Sequence, residues 1–472
     1  MSGNPSDMRS DMKRTKKIRM IRLTTAAALF FAAAAPAGQQ YEYALFDLGD
    51  LGETNNITTG INEVGDVCGT SPAAGGYHAF LWEEPGPMQD LGVLPGGLND
   101  SVAEGLNNLG WVVGSARDAM AQDQPVLWRD GDIVVLSGEI PGTGGVALDV
   151  NDTGTIVGDW REDLGEGNLR WTGFIFHDNV MTRLTKPYSD QDGTSANAIN
   201  ELGHIAGIVL RTPEPQQAFL WIDDTPIYLP WLEPEGGSIA EDVNDNDEVA
   251  GWGRRRGDVH AWFWSDGVMR DIHSLGKQSY SNGLNNFGEV VGFSTFSDTL
   301  FDWAGFRWSL STGMYNLNFL IPPMCPYHII SAKDINDAGQ IAADAGKGAV
   351  RFPAWSVLLT PVHATMTLAP TYNQLVAGEP NGLIVTNATP GARVYFAWSE
   401  MGGGAYMPGC TLQENALQLQ NPRLIGSTIA SGSGIARLDR FIPQNLAGRT
   451  ILIQALIPGE CTVSELIMET IQ

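Results

Sequence analysis

The 472-residue chain is poor in cysteine and in basic residues, and after its first forty residues it has no long apolar run. A membrane-spanning helix needs about 20 apolar residues, so no insertion into a bilayer is expected of the later chain. The four cysteines, Cys68, Cys325, Cys410 and Cys461, lack the spacing of a zinc site, and no metal ligand set is expected. Neither a G-x-S-x-G elbow nor an H-E-x-x-H pair is present, which removes two common hydrolase readings. A Ser-x-Asp-x-Gly-x-x-Trp box is missing as well. Carboxylates are too many for any pair to be singled out as a glycosidase dyad, so no catalytic residue is assigned. Between residues 42 and 360 no sustained 3.6-residue apolar period with helix caps occurs, and that stretch reads as all β.

Basic residues concentrate where the chain starts. Residues 1–22 carry Arg9, Lys13, Arg14, Lys16, Lys17, Arg19 and Arg22, followed by an apolar stretch from Leu23 to Ala35 and the small-residue sequence Ala35-Pro36-Ala37. This pattern predicts a secretory signal peptide over residues 1–37, cleaved after Ala37, with Met12 and Met20 as alternative starts. No cysteine follows the cleavage point, so no lipid anchor is expected. Residues 1–37 hold seven basic and two acidic residues; without them 21 Lys and Arg face 52 Asp and Glu, a net charge of −31. Nucleic acid and anionic lipid surfaces both require a basic footprint, and neither is an expected partner. The only basic run, Arg254-Arg255-Arg256, reads as a solvated loop.

What the chain has in quantity is repetition. Seven times it writes an aliphatic residue, Asn, two or three turn residues and a short β-branched run, at Asn62, Asn107, Asn151, Asn200, Asn244, Asn285 and Asn336. The steps are 45, 44, 49, 44, 41 and 51 residues. A second phrase, an apolar strand ending on an aromatic, keeps the same period at Trp82, Trp128, Phe176, Trp221, Trp264, Trp308 and Phe352. The second copy parses into strand A (Ser101 to Leu106), B (Trp111 to Ser115), C (Gln124 to Trp128) and D (Ile133 to Leu136). Asp130-Gly131 and Asp266-Gly267 give type I′ turns between C and D. Four strands per unit of this length predict a seven-bladed β-propeller over residues 38–360. Tyr41 to Gly49 matches a strand D yet precedes the first strand A, so it is expected to complete the seventh blade as a clasp. A closed ring of this kind is expected to be a monomer.

His78-Ala79-Phe80-Leu81-Trp82 with Asp90-Leu91-Gly92, and the partial matches His260-Ala261-Trp262-Phe263-Trp264 and Ala218-Phe219-Leu220-Trp221, resemble the HAF repeat of bacterial extracellular proteins. The resemblance spans roughly residues 42–360. It implies an extracellular repeat protein and no particular activity, and His78 and His260 are not read as catalytic.

Near residue 360 the repeat stops. Runs at Leu383 to Asn387, Arg393 to Trp398, Ala416 to Leu419, Ile435 to Phe441 and Ile451 to Leu456 predict a small Ig-like β-sandwich over residues 365–472. Cys410 and Cys461 share that unit and are expected to form a disulfide. Cys68 and Cys325 either bridge the first and last blades or remain thiols. Pro390-Gly391-Ala392-Arg393-Val394, then Cys410, then Gln454-Ala455 before Cys461 resemble a C-terminal module of exported bacterial, planctomycete-like proteins. That resemblance implies either a surface-attachment unit or a passive spacer.

Two local patterns carry chemistry. Asp242 to Glu248 places oxygen ligands at alternate positions, as calcium loops do, but lacks the glycine and the final glutamate of an EF-hand; no cofactor is assigned, with calcium the one candidate. Arg256-Gly257-Asp258 spells an adhesion tripeptide. The A–B and C–D turns are short and uniform, whereas the B–C and D–A loops are long and irregular and carry aromatics beyond the blade frame. Trp160, Tyr188, Trp231, Trp303 and Tyr327 are therefore the candidate ligand-binding residues. The expected function is non-enzymatic binding or scaffolding in the cell envelope or extracellular space, with a protein or glycan ligand. The alternative is a secreted polysaccharide lyase or hydrolase using acidic residues on the propeller face.

Overall fold

Each copy of the Asn phrase closes a turn by the chemistry of its own side chain. The Asn107 Oδ1 accepts the backbone N–H groups of Leu109 and Trp111 at 3.1 and 3.0 Å, and Gly110 takes φ +74°. An Asn-capped turn followed by a residue of positive φ reverses the chain between two strands. In the computed structural model all seven copies return an N–H, from the residue three further on, to the Asn carbonyl. The structure describes residues 42–472 except 85, 138–141, 166–168, 185–191, 212–213, 298–301, 349, 363, 372–374, 406, 408–409, 411–416 and 432–433. The expected signal peptide and Tyr188 lie outside the described residues.

The strands pair as seven four-stranded antiparallel sheets. Blades one to six occupy residues 57–90, 101–135, 142–183, 193–228, 238–271 and 279–316. The seventh takes strands A to C from 327–361 and strand D from Tyr43–Asp47, the start of the described chain. Tyr43 pairs with Pro361 and Asp47 with Val357, so the clasp is formed as expected. This is a seven-bladed β-propeller.

Strand-B glycines face bulky strand-C residues. Gly69 pairs with Phe80, Gly158 with Phe174, Gly207 with Phe219, Gly251 with Trp262 and Gly292 with Phe306. Each of these rings is fully buried, and a Cβ on Gly251 would lie 2.3 Å from the Trp262 ring. A cross-strand pair of this kind fills the core over a residue that has no side chain of its own. The second aromatic of the phrase lies at the end of strand C, opposite the first residue of strand B or the one beside it, and is buried in blades one to six. In blade seven the expectation needs correcting. Strand C runs from Val350 to Pro361, and Leu359, not Phe352, pairs with Ile341 at the equivalent place.

The last strand of blade seven's chain segment ends at Pro361, and the second unit begins with Ala364–Pro370. Its strands form one continuous eight-stranded sheet that curls on itself, barrel-like, into two halves. Ala364–Pro370, Pro380–Thr386 and Ala436–Phe441 make one, while Arg423–Ile429, Arg393–Ser399 and Thr450–Ile457, with Thr462–Ser464 and Ile467–Thr470, make the other. The first strand pairs in both, antiparallel to Pro380–Thr386 and parallel to Thr462–Ser464, which joins the halves along one edge. The core between them holds Leu368, Val385, Phe396, Leu438, Ile453 and Ala455. A hairpin, Gly402–Ala405 with Leu417–Leu419, covers the clasp strand. Gly404 permits this approach, because a Cβ there would sit 2.5 Å from the Phe46 ring. Phe46, Leu48 and Val362 of the propeller share one apolar cluster with Met407, Leu419, Leu452 and Val463. Cys410 and Cys461 are disulfide-bonded, whereas Cys68 and Cys325 are thiols, so the second bridge is not made. Burial pushes those two thiols up to about 12 and about 11.

Candidate functional site

The repeated asparagines form a closed ring at the A–B end. Asn62 Nδ2 donates to the carbonyl of Asn107, Asn107 to Asn151, and so on through Asn200, Asn244, Asn285 and Asn336, which donates back to Asn62. The seven distances lie between 2.9 and 3.2 Å. The next residue of each phrase makes a second ring. The backbone N–H groups of Glu63, Asn108, Asp152, Glu201, Asp245, Asn286 and Asp337 each donate to the side chain of the next member, and Asp337 donates to Glu63. Five of these side chains are carboxylates. Burial, with Asp337 nearby, raises Glu63 to about 7, and burial also raises Glu201. Exposed apolar residues at this end, Val64, Leu109, Leu202 and Phe287, occupy one repeated turn position.

Deeper along the axis lies a cavity of about 120 Å³. Three half-buried aspartates line it, two residues before the ring asparagines of blades three, five and seven. Asp149 accepts the N–H of Val150 at 2.8 Å and of Ile199, in blade four, at 2.8 Å. Asp242 does the same for Val243 and Leu284, and Asp334 for Ile335 and Ile61. The equivalent residues of the receiving blades are Ala198, Gly283 and Gly60. A Cβ on Gly283 would meet Asp334 at 2.7 Å, so carboxylate and small residue are matched. Loss of water raises Asp149 to about 7 and Asp334 to about 6, and raises Asp242 through burial and the facing Asp334 and Asp149. Both oxygens of each carboxyl accept from backbone, so these groups staple blades together. Sequence reasoning read Asp242 as the first oxygen of a calcium-like loop and missed Asp149 and Asp334, because an aspartate stands here in only three of seven copies.

The opposite end is irregular. Trp160 was expected on a loop, but strand B of blade three runs Ile156–Asp163 and Trp160 is buried in the core with Phe174 and Val113. Tyr327 is likewise internal. It begins strand A of blade seven, its hydroxyl donates to Asp47, and Lys347 Nζ donates to it at 2.8 Å. Neither is presented to a ligand. Trp231 is half-buried on the loop leading to blade five. Trp303 is half-buried at the start of strand C in blade six, its ring 5.5 Å from Phe293, which stacks on Tyr280 at 4.8 Å. The exposed tryptophan is one that sequence reasoning passed over. Trp171, 37% exposed, lies on the long B–C hairpin of blade three with the Arg161 guanidinium 5.8 Å from its ring. Its signal was the length of that hairpin. Leu164 is exposed on the same hairpin, and Leu98, Met120, Phe296 and Met324 on other loops of this end.

The histidines of the HAF phrase have a structural partner. His78 Nδ1 lies 2.8 Å from Asp90, and His260 Nδ1 lies 3.1 Å from Asp271, each joining the start of strand C to the end of strand D. The calcium-like turn is likewise engaged: Asn244 and Asp245 belong to the two rings and Asp247 meets His204 of blade four at 2.6 Å, while within the turn Glu248 accepts from Asn244 at 2.8 Å. Arg256-Gly257, with φ +52° and +90°, forms the tip of the B–C hairpin of blade five. Among the described residues no helix is long and apolar enough to cross a membrane.

No protein-family model and no curated protein sequence matches the chain. Among solved structures it is similar to a fungal alcohol oxidase of the AA5 family in complex with copper, at 12% identity, 92% of this chain and 100% of that one, TM-score 0.42. It is also similar to a puromycin hydrolase at 12% identity, 72% of this chain and 60% of that one, TM-score 0.46. TolB from Acinetobacter baumannii matches at 13% identity over 48% of this chain and 62% of that one, TM-score 0.35.

Proposed function

We propose that this protein is an exported, non-enzymatic binding or scaffold protein of the cell envelope or extracellular space, and that its ligand, a protein or a glycan, docks on the B–C/D–A end of the propeller. The observation that carries this reading is the asymmetry of the two ends. One is a uniform lattice of hydrogen bonds between blades, and the other presents loops of unequal length with exposed Trp171, Met120 and Phe296. Rigid scaffolds usually present function on variable loops, and exposed aromatics commonly anchor interfaces. Export is supported by the leader-like residues 1–37 and by the disulfide, a bond that persists in oxidising compartments. The lyase or hydrolase alternative has less support, since the buried carboxyls on the axis are engaged with backbone.

A glycan array and a pull-down from the producing cell's envelope identify the ligand. Its affinity is then measured on Trp171→Ala, Trp231→Ala and Trp303→Ala variants. Weaker binding is expected, with little change of thermal stability in Trp171→Ala and some loss in the half-buried Trp231→Ala and Trp303→Ala. Binding that survives all three and is lost on changing Leu109 or Phe287 would move the site to the A–B end.

A further inference from the structure

Blade five brings two imidazoles and a carboxylate together beyond the His–Asp pair it shares with blade one. His260 Nδ1 is 3.1 Å from both oxygens of Asp271, and His273 Nδ1 is 3.4 Å from Asp271 Oδ2. One ligand atom from each of the three lies within 4.8 Å of the others, the one such group of three among the described residues. Blade one shows what is added. There Asp90 accepts the N–H of Gly92 at 2.8 Å, and Gly92 has φ +75°. In blade five Asp271 accepts the N–H of His273 at 2.7 Å, and His273 holds φ +63°. The turn suits glycine, and an L-residue enters that region at a cost.

We propose that His260, Asp271 and His273 bind a divalent transition-metal ion of the zinc class, with one coordination position open to solvent. Nitrogen and carboxylate oxygen donors are the set such ions take. Bonds of about 2.0–2.1 Å in a tetrahedron put neighbouring ligand atoms roughly 3.3–3.4 Å apart. The two contacts to Asp271, at 3.1 and 3.4 Å, are already close to that spacing. The two imidazoles must close up, and His273, whose side chain is 75% exposed, has room to move. The aspartate side chain is 6% exposed, and both imidazoles approach it through Nδ1. Arg255 is the competitor, since its guanidinium is ion-paired with Asp271. Zinc must share or displace that contact, which limits affinity in the native chain. Three protein ligands leave a fourth position for solvent or for a donor from a docked ligand.

Isothermal titration with zinc, on the full exported chain in excess magnesium to occupy surface carboxylates, tests the site. One site is expected in the native protein. His273→Gly should weaken it at least tenfold while leaving the metal-free melting temperature equal or higher, because glycine suits the turn. Arg255→Gln should tighten it severalfold. Zinc binding that is equal in the native and His273→Gly proteins, or undetectable in the native and Arg255→Gln proteins alike, would overturn the proposal.

Discussion

At the A–B end of the propeller every blade makes the same bonds to its neighbour, and at the B–C/D–A end the blades differ from one another. The first end joins seven asparagines and seven flanking residues into two closed rings, each bond within 2.8–3.3 Å. A member that changed length would break contacts on both sides. Among the described residues the second end has no bond that all blades share, and inserting residues into an open loop adds only a slowly growing entropy cost. The same repeat thus provides a constrained end and a permissive one. The sandwich, with neither ring, depends on a core of its own and on one covalent link.

The largest effect is expected where neither ring operates. Replacing Cys410 and Cys461 by Ser should destabilise the sandwich by about 2–5 kcal/mol. Calorimetry should show that unit melting earlier while the propeller transition moves much less. A propeller transition that falls just as far would mean that the shared cluster around Phe46 and Leu419 makes the two units one cooperative structure.

Within the propeller, Asn107→Ala removes a buried donor to Asn151 and the acceptor for two backbone N–H groups. Three lost bonds at roughly 1 kcal/mol each give about 3 kcal/mol. The same substitution at Asn318, which bonds Ile329 of blade seven through Nδ2 and Oδ1 and belongs to neither ring, is the comparison on the irregular side. If Asn107→Ala melted at the native temperature, the ring would be a consequence of closure and not a cause of stability.

The acidic groups make the ends respond differently to pH. Glu63, Asp149 and Asp334 are raised by burial to about 7, 7 and 6. A carboxyl raised on folding stabilises the native state below its ordinary value, and that contribution is lost as pH rises through the folded value. The propeller should therefore melt higher at about pH 5 than at about pH 8. Glu162, Asp118 and Asp271 are lowered, so their stabilising contributions are lost only below the ordinary carboxylate range. Glu63→Gln, which keeps an acceptor for the Asp337 N–H, should flatten the slope. A higher melting temperature at the alkaline end would remove the buried carboxyls from the account.

Much of the constrained end was legible in the sequence, and little of the permissive end was. The Asn phrase announces its turn, the spare strand announced the clasp, and the Cys410–Cys461 spacing announced the bridge. The rings were not legible, because a bond from one asparagine to the next blade's carbonyl exists only after closure. Trp160 shows the opposite error. It stands nine residues after its ring asparagine, where other blades place Ser71, Ala116, Val209, Ser294 and Ala345, all buried. That register marked an interior position, and aromatic size alone suggested a ligand contact. In the sandwich five strands were anticipated. Ala364–Pro370, Gly402–Ala405, Arg423–Ile429, Thr462–Ser464 and Ile467–Thr470 were not, being short or glycine-rich or defined by pairing at a distance.

The smallest effect on stability is expected at Trp171, and it bears most directly on function. Its ring is partly exposed and its recorded aromatic contact is with the Arg161 guanidinium at 5.8 Å. Exposed pairs of this type contribute about 0.5–1 kcal/mol, so Trp171→Ala should lower stability by no more than about 1 kcal/mol. Under the proposed function this side chain contributes contact to the ligand rather than to the fold. Binding to the ligand recovered from the envelope should fall by tenfold or more in this variant, while Asn107→Ala, measured where it remains folded, should bind as the native protein does. If Trp171→Ala lost several kcal/mol of stability and no affinity, the permissive end would be a scaffold like its opposite, differing only in how its bonds are distributed.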